Sequence, residues 1–166
     1  MAITFSEISR MSLFRGFDDS FVQLLDLFFL ECYYEPGAQL VNQGELQNTF
    51  FLIVAGEVEV YHTVENAKVS LGILEGGQFF GEMNLFDPGL ATASVVSLTP
   101  LRTLEISNDK FSYFIQQKPE LAADFTFQLA STIVKRFRNT NQTLSEELTK
   151  PENILKAQQI DRGMPA

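Results

Sequence analysis

Tryptophan is absent from this 166-residue chain, and cysteine and histidine occur once each. A single thiol, Cys32, cannot close an intramolecular disulfide, so the chain suits a reducing compartment. A single histidine, His62, cannot build a metal site of several histidines and a carboxylate, and no metal is expected. Basic residues are scarce: 12 Lys and Arg stand against 21 Asp and Glu, a formal net charge of −9. Nucleic-acid binding needs a face that neutralises phosphates, and this balance argues against one. No run is long and apolar enough to span a bilayer, so no membrane partner is expected. Met1–Glu7 lacks the basic start and apolar stretch of a secretory signal. Neither a P-loop, a Ser-His-Asp or Cys-His set, nor a supported pair of catalytic carboxylates is found. A soluble, cytoplasmic protein that is not an enzyme is the expectation.

Phenylalanine is abundant, with 16 residues in a chain that is 45% hydrophobic. Phe buries a large area without a polar handle, which predicts a well-filled core in one domain. Residues 5–31 read as amphipathic helix. Phe5, Ile8, Met11 and Leu13 mark one apolar face, and Phe14-Arg15-Gly16-Phe17 breaks it. Asp18-Asp19-Ser20 then offers an N-cap ahead of Phe21, Leu24, Leu25 and Phe28. Cys32, among apolar neighbours, is expected as a buried structural thiol.

From Tyr33 to Ile106 the pattern changes to short apolar runs punctuated by glycine. Tyr34-Glu35-Pro36-Gly37 signals a type II turn. Strands are expected at Leu40-Val41, on either side of Gly56 within Phe50–Tyr61, at Lys68–Leu74, and in Thr92–Ile106 with a break at Thr99-Pro100. His62 is expected on a surface strand. Many short strands at regular spacing predict a sandwich, barrel or roll. Ser107-Asn108-Asp109 caps a short helix with Phe111, Phe114 and Ile115, and Pro119 suits the first turn of the next. That helix is expected from about Glu120 to about Asn141. Leu121, Phe125, Leu129, Ile133 and Phe137 recur every four residues, with Ala122, Thr126, Ala130 and Val134 beside them. Such an apolar width calls for a second partner. The tail, 143–166, is mostly polar, with a further helix conceivable over 151–160 around Ile154, Leu155 and Ile160.

One stretch carries the chemistry, from Gly76-Gly77-Gln78-Phe79-Phe80-Gly81-Glu82 through Met83-Asn84-Leu85-Phe86-Asp87-Pro88-Gly89 to Leu90-Ala91-Thr92-Ala93-Ser94-Val95. Small residues around a helical turn let backbone N–H groups approach an anion, and Glu82 suits sugar hydroxyls. The run resembles the phosphate-binding cassette of the cyclic nucleotide-binding domain family, found in bacterial catabolite regulators, kinase regulatory subunits and gated channels. The matching positions are Phe80, Gly81, Glu82, Met83 and Leu85, then Thr92, Ala93, Ser94 and Val95. The likeness covers about residues 10–141. It implies a mainly β, α+β fold: a double-stranded, jelly-roll-like β-roll at about 33–106, with N-terminal helices and a long C-terminal helix. The implied domain is 1–142, followed by the polar tail at 143–166.

The resemblance implies that Glu82 holds a ribose hydroxyl; otherwise this carboxylate caps the turn. Phe80, Gly81, Met83, Asn84, Leu85, Ala91, Thr92 and Ala93 complete the implied ligand site, while Ser94 suits a local role. The family's phosphate-pairing arginine is Ala91 in this chain, and Asn84 replaces a smaller residue. Removing the charged partner of a buried phosphate costs about 2–5 kcal/mol, roughly thirty-fold to a few thousand-fold in affinity. The cavity near Ala91 is then expected to be filled by Leu90 or Asn84, or to lie open and apolar. Arg102, or the cluster Lys135, Arg136 and Arg138, is a candidate replacement cation. No cofactor is implied beyond a cyclic nucleotide as ligand. The long helix both caps the nucleotide and dimerises in the family, so a parallel homodimer through it is implied. The tail supplies no basic recognition helix for a DNA-binding module. The expected function is a stand-alone regulatory sensor module with ordinary cAMP or cGMP binding weakened. The alternative is a ligand-free interaction or dimerisation scaffold of the same fold.

Overall fold

Phe50-Phe51-Leu52-Ile53 is apolar at four successive positions, the pattern of a strand covered on both faces. It forms the middle of β4 (Thr49–Ala55), and all four side chains are buried. The structure, a computed structural model, describes residues 5–18, 21, 25, 27–65 and 67–150. The chain divides into two compact units, residues 1–126 and 127–166.

In the first unit β4 is joined by β1 (Leu30–Tyr34), β2 (Gln39–Val41), β3 (Leu46–Gln47), β5 (Glu57–Val64), β6 (Ala67–Glu75), β7 (Phe79–Phe80), β8 (Gly89–Leu90), β9 (Ser94–Ser97) and β10 (Leu101–Ser107). One antiparallel sheet has the order β1-β10-β4-β7, the other β2-β9-β5-β6, and β3 pairs with β8. The mainly β, α+β roll expected from the sequence is the fold observed. Val41, Phe51, Ile53, Val58, Phe80, Val95 and Leu101, drawn from both sheets, form the core of the roll. Phe51 and Phe80 stack with ring centroids 4.7 Å apart. The Pro-Gly signal also holds: Gly37 has φ +85° and the Ala38 amide donates to the Glu35 carbonyl at 3.1 Å.

The N-terminal reading needs correction. Helix α1 is a single turn, Phe5–Ile8, followed by a 3₁₀ turn at Ser12–Phe14. Ile8, Met11 and Leu13 of the expected apolar face are buried, as is Phe14 of the expected break, but the helix ahead of that break is only one turn long. Asp18 accepts from the Phe21 amide at 3.3 Å, the expected cap contact; Asp19, Ser20 and Leu24 lie outside the described residues. Strand β1 starts at Leu30, inside the stretch read as helical and three residues before the expected roll boundary. Its register against β10, from Leu30↔Glu105 to Tyr34↔Leu101, supplies long-range backbone bonds that local periodicity cannot report. Cys32 on this strand is half-buried rather than enclosed. Burial, and then the nearby Glu105 charge, push its thiol up to about 11.

Helix α2 is Met83–Phe86, and α3 is Asn108–Gln117, capped by Ser107, whose hydroxyl accepts from the Lys110 amide at 3.4 Å. Helix α4 spans Pro119–Leu148, seven residues beyond the expected end. No proline or glycine interrupts it before Pro151, and Gln142 and Glu146 hydrogen-bond across one turn at 3.0 Å. The first residues of the expected polar tail are therefore helical; 151–166, with Ile154, Leu155 and Ile160, lie outside the described residues. Along α4 Phe125 and Leu129 are buried but Phe137 is exposed. A step of four residues overshoots a 3.6-residue turn by about 40°, so three steps move a side chain about a third of the way round.

Phe125 is the hub of the unit's second apolar layer. Its ring lies 5.8–6.4 Å from those of Phe14, Phe29, Phe50, Phe111 and Phe114. Phe125→Ala should cost about 3–5 kcal/mol in denaturant unfolding. A loss under about 1 kcal/mol, the size of an ordinary surface change, would remove its role as hub.

Candidate functional site

The cassette begins where β7 leaves the roll. Gly81 has φ +73°, and a side chain there would collide with the Thr49 carbonyl oxygen of β4. Only glycine lets the chain cross β4 so closely and turn into α2. Glu82 follows at φ −62° and ψ −31°, already helical, and makes no side-chain cap bond. Capping residues adopt extended angles, so its turn-capping alternative is corrected. Its half-buried carboxylate is left available at the head of α2.

Three contacts fix α2. The Asn84 amide donates to the Gly81 carbonyl at 3.1 Å, and the Asp87 amide to Met83 at 2.8 Å. Asn108, heading α3, donates its side-chain amide to the Leu85 carbonyl at 2.6 Å, and Leu85 itself is buried. Beyond α2, pairing of β8 with β3 carries the chain to Ala91. The Ala91 carbonyl accepts from the Gly44 amide and its amide donates to the Glu45 carbonyl, both at 2.8 Å. The Ala91 side chain packs against the roll core. Ser94 is buried and its hydroxyl accepts from the Gln43 amide at 3.0 Å, the local role expected of it.

A cavity of about 510 Å³ lies along α2 and β8, lined by Met83, Asn84, Phe86, Asp87, Gly89, Leu90 and Thr92. Of the sequence-derived site residues, Met83, Asn84 and Thr92 meet there. Phe80 and Leu85 serve the core, while Gly81, Glu82, Ala91 and Ala93 are not in its wall. Phe86 at the end of α2, Asp87 just past it and Leu90 on β8 lie within the quoted cassette but were not singled out as site residues; their exposure in so short a helix, turn and strand was the missing signal. Leu90 borders the cavity, which stays open. Among the described residues of its wall the charged one is Asp87, and none is basic.

Arg102 is not the replacement cation. It sits on β10 and pairs with Glu31 and, at 2.6 Å, with Glu7, beside the Tyr33 ring. Burial raises the Glu31 carboxyl, but hydrogen bonds from Arg102 and Tyr33 outweigh it and hold it below its ordinary 4.5. Lys135 and Arg138 are exposed on α4. His62 is half-buried on β5, opposite Val69, a strand position as expected.

A two-sheet antiparallel roll interrupted by a glycine turn, a carboxylate and a one-turn helix is a β-roll domain with a cassette-like insertion. The chain belongs to the cyclic nucleotide-binding domain family, whose model matches residues 31–118. It is 34% identical over 127 residues to the cAMP-activated global transcriptional regulator CRP of Haemophilus influenzae, covering 74% of this chain and 55% of that protein. It is 25% identical over 140 residues to a CRP-like cAMP-activated global transcriptional regulator of Mycobacterium tuberculosis, covering 84% and 61%. The crystal structure of Thermus thermophilus Catabolite Activator Protein superposes with a TM-score of 0.70 at 27% identity, over 81% of this chain and 62% of that one. The chain thus spans about three fifths of the length of these relatives.

A depressed carboxyl stabilises the fold above its unfolded value, and the contribution disappears as pH falls through the folded one. The wild-type chain should therefore lose more of its urea midpoint than Glu31→Gln as pH drops from neutral to below 4.5. Equal losses would mean the Arg102 pair adds nothing to stability.

Proposed function

We propose that this chain is a regulatory sensor module whose cassette binds cyclic nucleotides far more weakly than one bearing the arginine. The observation that carries this is Ala91 at the arginine position, its backbone clamped by Gly44 and Glu45 and its side chain turned to the core. The adjoining cavity, walled by Leu90 and Thr92 on either side of Ala91 in sequence, holds the carboxylate of Asp87 and, among the described residues, no basic one. The cAMP-activated relatives supply the ligand class, and Glu82 remains available for a ribose hydroxyl. Phe80, Gly81, Met83, Asn84, Leu85, Ala91, Thr92 and Ala93 frame that site. Signalling would run through a homodimer formed by α4, where Phe127, Val134, Phe137, Leu144 and Leu148 stand exposed.

A second reading, a scaffold that has given up small ligands, is favoured by the apolar rim of the cavity. Met83, Phe86 and Leu90 are each more than half exposed there, a surface suited to a protein contact.

Calorimetric titration with cAMP and cGMP separates these readings. The wild-type chain should bind no more tightly than about millimolar, and Ala91→Arg should gain roughly thirty-fold to a few thousand-fold. Micromolar binding by the wild type would overturn the weakened-sensor reading. Silence in both proteins, with the variant folded, would favour the scaffold.

A further inference from the structure

Every large apolar side chain left exposed among the described residues of α4 falls on a seven-residue repeat. Phe127, Val134, Asn141 and Leu148 share one position, and Ala130, Phe137 and Leu144 the position three residues later. Phe127 is 70% and Phe137 65% exposed, and the other five are exposed too. A straight helix lets such a repeat drift around its surface. Two helices carrying the same repeat keep it facing inward by supercoiling about each other. The occupant of this seam is therefore best met by a second copy of this chain.

One member of the seam is polar. Asn141 occupies a position otherwise held by Phe, Val and Leu. Resting on the homodimer reading above, we propose that Asn141 fixes the seam as a parallel, in-register, two-stranded pair. In that arrangement each Asn141 faces Asn141 of the second copy, and an amide both donates and accepts, so the two satisfy each other. A slip of one heptad would put the amide against Val134 or Leu148. An antiparallel pair would set it against the apolar residues of the other position. Either leaves buried polar atoms without partners. Among the described residues the flanking positions do not oppose the parallel register: Ile133 and Thr140 come beside Arg138 and Ser145 of the second copy, where no like charges meet.

The test uses the full chain in a Cys32→Ser background. Asn141→Cys should cross-link into a disulfide dimer on mild oxidation, while Thr132→Cys, on the opposite side of the helix, should not. Sedimentation should give one dimeric species for the wild type. Asn141→Leu should associate roughly tenfold more tightly but lose that single species to larger assemblies. A dimer whose Asn141→Cys form does not cross-link overturns the register assignment alone. An Asn141→Leu chain that stays a single dimer of unchanged affinity overturns it as well. A wild-type chain that sediments as a monomer at every loading overturns the dimer reading and this inference with it.

Discussion

The packing of Phe125 against five other rings is the contact on which the first unit depends. Phe50 is among those rings and sits on β4, whose opposite face presents Phe51 to the roll core and to Phe80. Phe111 is another, and its edge meets Phe86 of α2 at 5.9 Å. Apolar packing thus runs without a gap from the start of α4 to both ends of the cassette turn. Cores at this density do not deform continuously, so α2 is held in a defined place rather than floating over the roll. The backbone ties at Gly81, Leu85 and Ala91 act on the same short segment.

How much of this was legible in the sequence depends on the range of the interaction. Pro36-Gly37, Ser107 and Pro119 act within four residues, and each does what its local chemistry dictates. Asp18 does too. The start of β1 and the fate of Arg102 are different. Both depend on partners 71 or more residues away, β10 for Leu30 and Glu31 and Glu7 for Arg102. No window of sequence contains both members. In the cassette, Glu82 could be singled out as a candidate through the family resemblance. That its backbone is helical, ruling out the capping role, needed coordinates.

On the reading proposed above, the electrostatics of the site turn on position 91 more than on overall charge. A net −9 acts on an approaching anion through a screened, long-range field. The loss of a side chain at Ala91 acts at contact distance, where a cation is worth most. Asp87 adds a negative charge to the wall of the adjoining cavity. A neutral or cationic occupant would meet no such opposition, and neither would an apolar segment laid across Met83, Phe86 and Leu90.

Helix α4 carries more apolar surface than one interface can use, and the structure separates that surface into two sets. Ala122, Phe125 and Leu129 are buried, spaced three and four residues apart, the stripe of a helix with one covered face. Phe127, Val134, Phe137, Leu144 and Leu148 are exposed and keep the stricter seven-residue spacing. The two sets differ in what they demand. A stripe of three buried residues tolerates drift because it is short. A seam of three heptads does not, since drift over that length would carry its ends away from each other. A polar residue is harmless in the first only at its rim, whereas in the second it can sit centrally if its twin satisfies it. Asn141 occupies such a central place, and the cost of mispairing it is what makes one arrangement of two helices better than the others.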